Sequence, residues 1–287
     1  MTDQFKKGLT VSIVAYHSPI ALLRATIASL AEAVQALRDS CGPGEPWFSP
    51  ESEVTLYLVD NSEDQSLSLL DFQALSEPLR SAKIELRLLQ GHGNVGYGAG
   101  HNLALSQVVS RYHLLLNPDV ELHASSLVVG TGFLENNTGV CAASPGASFE
   151  DGSRQHLCKQ YPSVWLFFLR GFAPAWLRHC FAQQLARYEM HELTEEPAVG
   201  VPIISGCFML CKTEALKTVR GFDPGYFLYF EDFDLSLRLG KQGKLACVPA
   251  MKIVHHGGHS AAKGWHHVRL FVRSGWRFFN TYGWRLF

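Results

Sequence analysis

Strand-like and helix-like segments alternate through the first half of the chain, and this pattern constrains the fold more than any other feature. Amphipathic helical stretches open at Pro19 and recur near 125–134. Apolar runs rich in β-branched residues predict buried strands at 10–15, 54–59, 84–89, 112–116 and 139–143. Strands that alternate with helices pair in parallel through right-handed crossovers. The sequence therefore predicts an α/β fold with a mainly parallel, twisted sheet flanked by helices.

Polar or glycine-rich segments follow three of these strands, at 60–62, 91–100 and 117–119. Ligands of parallel sheets bind beyond the carboxyl ends of the strands, so the three segments predict one site. Asp60 could accept a hydrogen bond from a base, the glycine-rich backbone could bind an anion, and Asp119 could ligate a hard divalent cation. Asx and glycine residues also form turns at strand ends, which is the structural alternative for each segment. The glycine-rich segment follows the third strand rather than the first, which disfavours a dinucleotide site.

The second half of the chain is less regular. Residues 144–200 include an aromatic-rich stretch at 161–177, which could be a lid or an acceptor-side insertion. An apolar run at 201–211 predicts one buried strand, 232–241 predicts a helix, and 244–254 predicts further strands.

A carboxylate cluster, Glu231, Asp232 and Asp234, begins the helix predicted at 232–241. Acidic residues favour helix N-termini, which explains one or two of these carboxylates structurally. The cluster also follows an aromatic run, and apolar surroundings with like charge raise a carboxylate's pKa, as suits a general base. The histidines at 255–259 lack the usual zinc spacing and fit better as one neutral imidazole ligand plus surface groups.

Charge and cysteine content exclude some classes of protein. The net charge of −1, from 25 basic and 26 acidic residues, lacks the footprint of a nucleic-acid-binding protein. The seven cysteines form no C-x-x-C pair and lie mostly in apolar surroundings, which favours a reducing, cytosolic compartment. No run reaches the roughly 18 apolar residues that span a bilayer. The basic, aromatic tail at 265–287 is either a helix packed on the domain or an element that lies on anionic lipid.

Together these motifs resemble the family 2 glycosyltransferases of the GT-A fold, and in particular the bacterial rhamnosyltransferases of cell-surface polysaccharide synthesis. The resemblance runs from about residue 9 to residue 260. Its carriers are 11–16, 59–62, 93–96 with Asn102, 117–119, 205–206, 221–223, 231–234 with Arg238, and 255–260.

The resemblance implies roles for the residues at the matching positions. Ala15 and Tyr16 would line the nucleotide pocket, and Asp60 would contact the base. Further contacts to the nucleotide-sugar would come from Asn94, Gly96, Asn102, Asn117 and Arg238.

The metal and catalytic roles follow from the same resemblance. Asp119 would bind a divalent metal, Mg²⁺ or Mn²⁺, with His255 as a further ligand and His256 as the fallback. Asn117 replaces the first carboxylate of the family's Asp-x-Asp motif, which leaves one carboxylate fewer for the cation. Asp232 would be the general base, oriented by Glu231 or Asp234, and Arg238 would pair with one of them.

We therefore expect an inverting, metal-dependent glycosyltransferase that moves rhamnose from dTDP-rhamnose to a lipopolysaccharide or lipid-linked saccharide. Residues 1–264 would form one GT-A domain, with a nucleotide-binding half at about 9–143 and an acceptor half at about 144–264. The expected location is the cytoplasm, peripherally at the inner face of the membrane.

Two alternatives predict different observations. A non-catalytic nucleotide-sugar or glycan-binding module would tolerate loss of Asp232. A sugar nucleotidyltransferase would carry a basic glycine-rich loop after the first strand, where this chain has residues 16–19, Tyr-His-Ser-Pro. The family's processive synthases carry a Q-x-x-R-W signature that this chain lacks, so we expect transfer of one or a few sugars.

Overall fold

The structure is a computed structural model that describes residues 6–42, 47–49, 51–257 and 264–287. Its strands are β1 (Lys6–Ala15), β2 (Val54–Asp60), β3 (Ile84–Leu89), β4 (Ser110–Leu116), β5 (Val120–Leu122), β6 (Val140–Ser148), β7 (Arg154–Gln155), β8 (Cys158–Lys159), β9 (Ala198–Val199), β10 (Ile203–Ile204), β11 (Phe208–Lys212) and β12 (Lys244–His255).

The helices lie mainly between these strands, and a short 3₁₀ helix spans Leu69–Leu75. They are α1 (Ile20–Ser40), α2 (Ser76–Ser81), α3 (Tyr97–Leu105), α4 (Ser126–Asn136), α5 (Val164–Gly171), α6 (Ala175–Cys180), α7 (Ala182–Tyr188), α8 (Thr213–Thr218), α9 (Glu231–Leu239) and α10 (Gly264–Tyr282).

One large sheet organises the molecule, in the order β3-β2-β1-β4-β11-β6-β12-β5. β1 pairs in parallel with β2 and β4, and β2 pairs in parallel with β3. β11 is antiparallel to both β4 and β6, whereas β12 runs parallel to β6. The predicted fold class, a mainly parallel sheet flanked by helices, is confirmed.

The parallel register explains why the predicted segments meet. Because β1, β2, β3 and β4 all run the same way, their carboxyl ends lie along one edge of the sheet. The segments at 60–62, 91–100 and 117–119 all leave the sheet at this edge. β11 and β12 come from the second half of the chain but lie in the same sheet, so both halves contribute to one core.

The predicted single strand at 201–211 is wrong. β10 pairs with β8 in a separate two-stranded sheet, and β11 pairs with β4 in the main sheet. Residues 205–207 turn the chain between them, which a continuous apolar run does not reveal. The strands predicted within 244–254 are one strand, β12, whose register against β6 shifts between Val248 and Lys252.

α1 is long and apolar enough, by length and composition alone, to cross a membrane. Its apolar stripe is fully buried in the main core, at Leu23, Ile27, Leu30, Val34 and Leu37. A helix that lies under a sheet is apolar for the same reason as a helix in lipid, so the packing explains the composition of α1.

α10 packs on the domain through one face. Phe278 and Phe279 are buried in an aromatic cluster with Tyr226 and Phe230. Other aromatic side chains of the tail remain exposed, including Trp265, Trp276 and Phe287. The prediction that 265–287 is a helix packed on the domain is therefore correct for one face of α10, and the opposite face is exposed.

Candidate active site

Asp119 and His255, whose side chains are of types that can bind metals, lie close together at the ends of neighbouring strands. Asp119 lies between β4 and β5, and β5 pairs with the end of β12, where Val120 is opposite His255. His255 Nε2 is 3.5 Å from Asp119 Oδ1. His255 Nδ1 is 2.8 Å from Gln155 Oε1. An amide oxygen only accepts, so Nδ1 carries the proton and Nε2 presents its lone pair toward Asp119.

The pair fits a divalent metal ion. Asp119 Oδ1 is buried and makes no hydrogen bond. A Cβ at Gly257 would lie 2.3 Å from Asp119 Oδ2 and 2.9 Å from His255 Nε2, so a larger residue would fill the space beside both side chains. Within the described residues, no group of three or more His, Cys, Asp or Glu side chains could hold a metal. Two protein ligands are typical of an ion whose remaining positions are taken by phosphate oxygens and water.

The Asp232 carboxylate is fixed in the first turn of α9. Its Oδ2 accepts a hydrogen bond from the Gly206 backbone N–H at 3.0 Å, and Oδ1 accepts from the N–H of Phe233 at 2.9 Å. Burial raises the pKa of Asp232, and these two backbone hydrogen bonds oppose that rise. A positioned carboxylate with a raised pKa is chemically suited to accept a proton.

The turn that precedes α9 is strained. Tyr229 and Phe230 both have left-handed backbone conformations, with φ of 69° and 64°. Such conformations cost a non-glycine residue about 1–2 kcal/mol each. The Tyr229 hydroxyl and Nδ1 of His267 on α10 are 2.9 Å apart, and the Phe230 ring lies in the cluster under α10. These contacts hold the turn that aims Asp232.

The other two carboxylates of the cluster differ from Asp232 and from each other. Glu231 is buried and its Oε2 has no hydrogen-bond partner. Burial, and then the charge of Asp232, raise the pKa of Glu231. Asp234 is bonded by Arg238, with Nε 2.8 Å from Oδ2, and by the Tyr282 hydroxyl at 2.6 Å. The expected pairing of Arg238 with one carboxylate of the cluster is therefore confirmed, with Asp234 as the partner.

A cavity of about 710 Å³ brings these groups together. Its wall includes Asn117, Asp119, His255 and Asp232, so the candidate metal pair and the candidate base face one space. A second cavity, of about 430 Å³, shares part of its wall with the first and is lined mainly by aromatic side chains of α5, α10 and the strained turn. Asp232 and Arg170 line both cavities.

The remaining predicted contacts to the nucleotide-sugar lie outside the linings of these two cavities. Tyr16 is half exposed, Ala15 is buried, and Asp60 is fully buried. The Asp60 carboxylate accepts hydrogen bonds from the backbone N–H groups of Ser62 and Leu67, at 2.9 and 3.1 Å. This is the turn chemistry that the sequence leaves open, and because Asp60 is fully buried, a base could contact it only after this turn moves.

Asn94, Asn102 and Arg238 use their polar groups within the protein. Asn94 accepts a hydrogen bond from the Gly96 N–H at 3.1 Å. Asn102 donates to the Phe222 carbonyl at 2.8 Å and accepts from the Phe222 N–H at 2.9 Å. Arg238 also donates to backbone carbonyls that precede α9. These side chains hold the loops around the site in place.

Three residues of the site are not among the predicted site residues: Gln155, Gly206 and Lys159. Gln155 and Lys159 lie on two-residue strands in the irregular stretch 144–200. Gly206 lies in the turn that interrupts the apolar run at 201–211. The Ser-Gly pair at 205–206 belongs to the family motifs, and that pair is the one signal that points to this turn.

Comparison with known proteins identifies the fold. No family model matches the chain. A mannosyltransferase structure, PcManGT from Pyrobaculum calidifontis in complex with GDP-Man and Mn²⁺, superposes with a TM-score of 0.56 at 14% identity, covering 94% of this chain and 61% of that one. The chain has the GT-A glycosyltransferase fold.

Two curated relatives are bacterial rhamnosyltransferases. The N-acetylglucosaminyl-diphospho-decaprenol L-rhamnosyltransferase of Mycobacterium tuberculosis is 31% identical over 62% of this chain and 61% of its own length. Rhamnosyltransferase WbbL of Escherichia coli is 28% identical over 61% of this chain and 68% of its own length. The resemblance found in the motifs is therefore confirmed, and the chain spans about three fifths of the length of the mycobacterial relative.

Proposed function

We propose that this protein is an inverting glycosyltransferase that uses a divalent metal ion and transfers rhamnose from dTDP-rhamnose to a lipid-linked saccharide, such as a lipopolysaccharide precursor. The observation that carries the proposal is the shared cavity, in which Asp232 faces the Asp119–His255 pair. The names of both curated relatives state rhamnosyl transfer, and this is the support for the sugar.

Asp119 and His255 would hold the metal, which when bound supplies positive charge to the leaving diphosphate. The single carboxylate here, with Asn117 in place of a second, gives the pair a charge of −1 rather than −2. Gln155 holds His255 in the tautomer whose Nε2 faces Asp119. Both ligands are thus ordered before any substrate enters.

Asp232 accepts the proton from the attacking hydroxyl of the acceptor. The hydroxyl oxygen bonds to the anomeric carbon from the face opposite the diphosphate, the bond to the diphosphate breaks, and the configuration inverts. The Gly206 and Phe233 N–H groups fix the carboxylate during this transfer. Glu231, kept protonated by burial, adds no second negative charge beside it.

The nucleotide would lie along the edge formed by β1 to β4, in the half at about 9–143. Asp60 would contact the base, and Ala15 and Tyr16 would line its pocket. The Tyr16 ring is half exposed and has an edge contact with His17, so its exposed part could pack on a base, and Asn94 and Asn102 keep the surrounding loops in place. The acceptor would bind in the half at about 144–264.

A lipid-linked acceptor agrees with the exposed surface of the protein. Large apolar side chains are exposed on α5, α6, α10 and the tail, and the tail lies against α5, where the Trp165 N–H donates to the Leu286 carbonyl at 3.0 Å. They are Phe168, Phe172, Trp176, Trp265, Val272, Trp276, Trp284, Leu286 and Phe287. We call them the aromatic face. With Arg269 and Arg273 on α10, this composition suits the interface of an anionic membrane, at its cytoplasmic side.

Calorimetry of nucleotide-sugar binding tests the proposal. Wild type should bind dTDP-rhamnose more tightly than UDP- or GDP-sugars, and only with Mg²⁺ or Mn²⁺. Asp119→Ala should abolish this binding. Glu121→Gln is the matched control, because Glu121 is two residues away and bonds His256 instead, at 2.7 Å. Failure of every nucleotide-sugar to bind with either metal would refute the proposal and favour a non-catalytic module.

Vesicle partition tests the membrane part separately. Trp276→Ser combined with Trp284→Ser should weaken partition onto vesicles that contain phosphatidylglycerol. Leu70→Ser is the control, since Leu70 is 76% exposed on a different part of the surface. Equal partition of the double variant and wild type would refute the role of the aromatic face.

A further inference from the structure

Two cations in the wall of the larger cavity share a single carboxylate. Lys159 Nζ lies 3.5 Å from Glu189 Oε1, and Arg170 Nε lies 3.4 Å from the same oxygen. Lys159 comes from β8, Arg170 from α5, and Glu189 follows α7. Since two positive groups face one negative group, this cluster has a formal charge of +1.

The cluster is desolvated on one side. The Lys159 side chain is only 14% exposed, and burial lowers its pKa to about 8. The charge of Glu189 opposes this fall in pKa. With a pKa of about 8, Lys159 remains mostly protonated, and so charged, at neutral pH. A buried cation with incomplete compensation gains from a further anion, because it has lost much of its hydration.

The position of the cluster shows which substrate it can serve. Lys159 and Arg170 line the same cavity as Asp232, and Arg170 also lines the aromatic cavity. Burial raises the pKa of Asp232, and the charge of Lys159 is among the effects that oppose this rise, so the two side chains lie close enough to interact. A group bound at the cluster would therefore lie close to the base and at the entrance to the aromatic cavity.

We propose that Lys159 and Arg170 bind the diphosphate of an amphiphilic acceptor, whose apolar chain lies in the aromatic cavity lined by Phe167, Phe172 and Phe271. This inference rests on the proposed function and adds the acceptor subsite. Glu189 holds the two cations until the diphosphate takes its place. The alternative source of the same chemistry is the donor diphosphate, which we assign to Asp119 and His255 at a different part of the wall.

Binding of two probes by the 287-residue chain distinguishes these sources. The first is geranyl diphosphate in EDTA, with geraniol as its uncharged counterpart, and the second is dTDP with Mn²⁺. Wild type should bind geranyl diphosphate without metal and at least tenfold more tightly than geraniol. Lys159→Met and Arg170→Gln should each weaken geranyl diphosphate at least tenfold and change dTDP binding less than threefold. Arg154→Gln is the control, as Arg154 lies in the same wall but pairs with the exposed Glu195.

Glu189→Gln gives a test in the opposite direction. It removes the competing carboxylate, so geranyl diphosphate should bind severalfold more tightly. This variant still tests the inference if Lys159→Met fails to fold. Weaker binding in Glu189→Gln would contradict the inference. Three results for the Lys159 variant would each overturn the inference: loss of dTDP binding alone, equal loss of binding of both probes, or unchanged binding of both. Normal dTDP binding with Mn²⁺ in the same samples would show that the proposed donor site is intact.

Discussion

Replacement of Gln155 by leucine should weaken metal binding, although Gln155 would not touch the metal. In wild type the hydrogen bond of 2.8 Å between His255 Nδ1 and Gln155 Oε1 selects the tautomer with a free Nε2. Without it, the proton can move to Nε2, which lies 3.5 Å from Asp119 Oδ1 and would then pair with it. That pairing would occupy both of the proposed metal ligands at once.

The size of the effect follows from these contacts. The lost hydrogen bond contributes about 0.5–1.5 kcal/mol to the choice of tautomer. The competing contact with Asp119 adds a part-buried ion pair or hydrogen bond of about 0.5–1 kcal/mol. The sum, about 1–2.5 kcal/mol, corresponds to a rise of roughly 5- to 70-fold in the dissociation constant. Partners of this kind typically change metal affinity by about 10–100-fold.

The assay is Mn²⁺ binding by calorimetry in the presence of saturating dTDP, on wild type, Gln155→Leu and Gln155→Glu. The glutamate variant keeps an acceptor for Nδ1 and should bind Mn²⁺ at least as tightly as wild type. His255→Ala sets the scale for complete loss of the ligand. If the leucine variant binds within twofold of wild type while His255→Ala is weakened, Gln155 does not orient the ligand. If Mn²⁺ binding is weakened neither in the leucine variant nor in His255→Ala, His255 is not a ligand.

Three further predictions concern the base, its neighbour and the loop beside the site. Asp232→Asn should lower kcat by about 10²–10⁴-fold with little change in the donor KM, as expected for loss of a general base; steady-state kinetics with unchanged kcat would exclude the role. Glu231→Gln should stabilise the protein more at pH 8 than at pH 5 in urea unfolding. A carboxyl whose pKa is raised by folding loses stability as pH rises from its unfolded value toward its folded value, and glutamine removes that loss. Asn102→Ala should lower the free energy of unfolding by about 2–3 kcal/mol, because both backbone groups of Phe222 lose their partner; a change below about 0.5 kcal/mol would contradict it.

The strand-end residues show what the sequence could predict. Asp119 follows an apolar strand, and parallel pairing necessarily brings such ends to one edge. His255 is the last residue of β12, which runs in the same direction as β4 and so ends at the same edge. The carboxylates at 231–234 were all predicted for the catalytic site, yet Asp232 and Asp234 are two positions apart on a helix and so project about 200° apart. Only the tertiary structure shows that Asp232 faces the cavity and Asp234 faces Arg238 and Tyr282.

The parts that the sequence missed depend on long-range contacts. β7 pairs with β6 through Gln155 opposite Ala147, and β8 pairs with β10 through Lys159 opposite Ile203. Strands of two residues have no periodicity to detect, so their side chains could not be assigned to the site in advance. The turn around Gly206 was hidden for the opposite reason, because its apolar neighbours form a pattern that is typical of one long strand.

The strained turn at Tyr229 and Phe230 limits how this protein could be engineered for heat resistance. A common strategy is to place glycine where a residue has a left-handed backbone, which would relieve about 1 kcal/mol at each position. Here the Tyr229 side chain reaches His267 and the Phe230 ring is 4% exposed within the cluster under α10. Loss of a buried phenylalanine side chain costs about 3–5 kcal/mol. Glycine at Phe230 would therefore yield a net less stable protein, and stabilising substitutions are better sought away from the turn that carries Asp232.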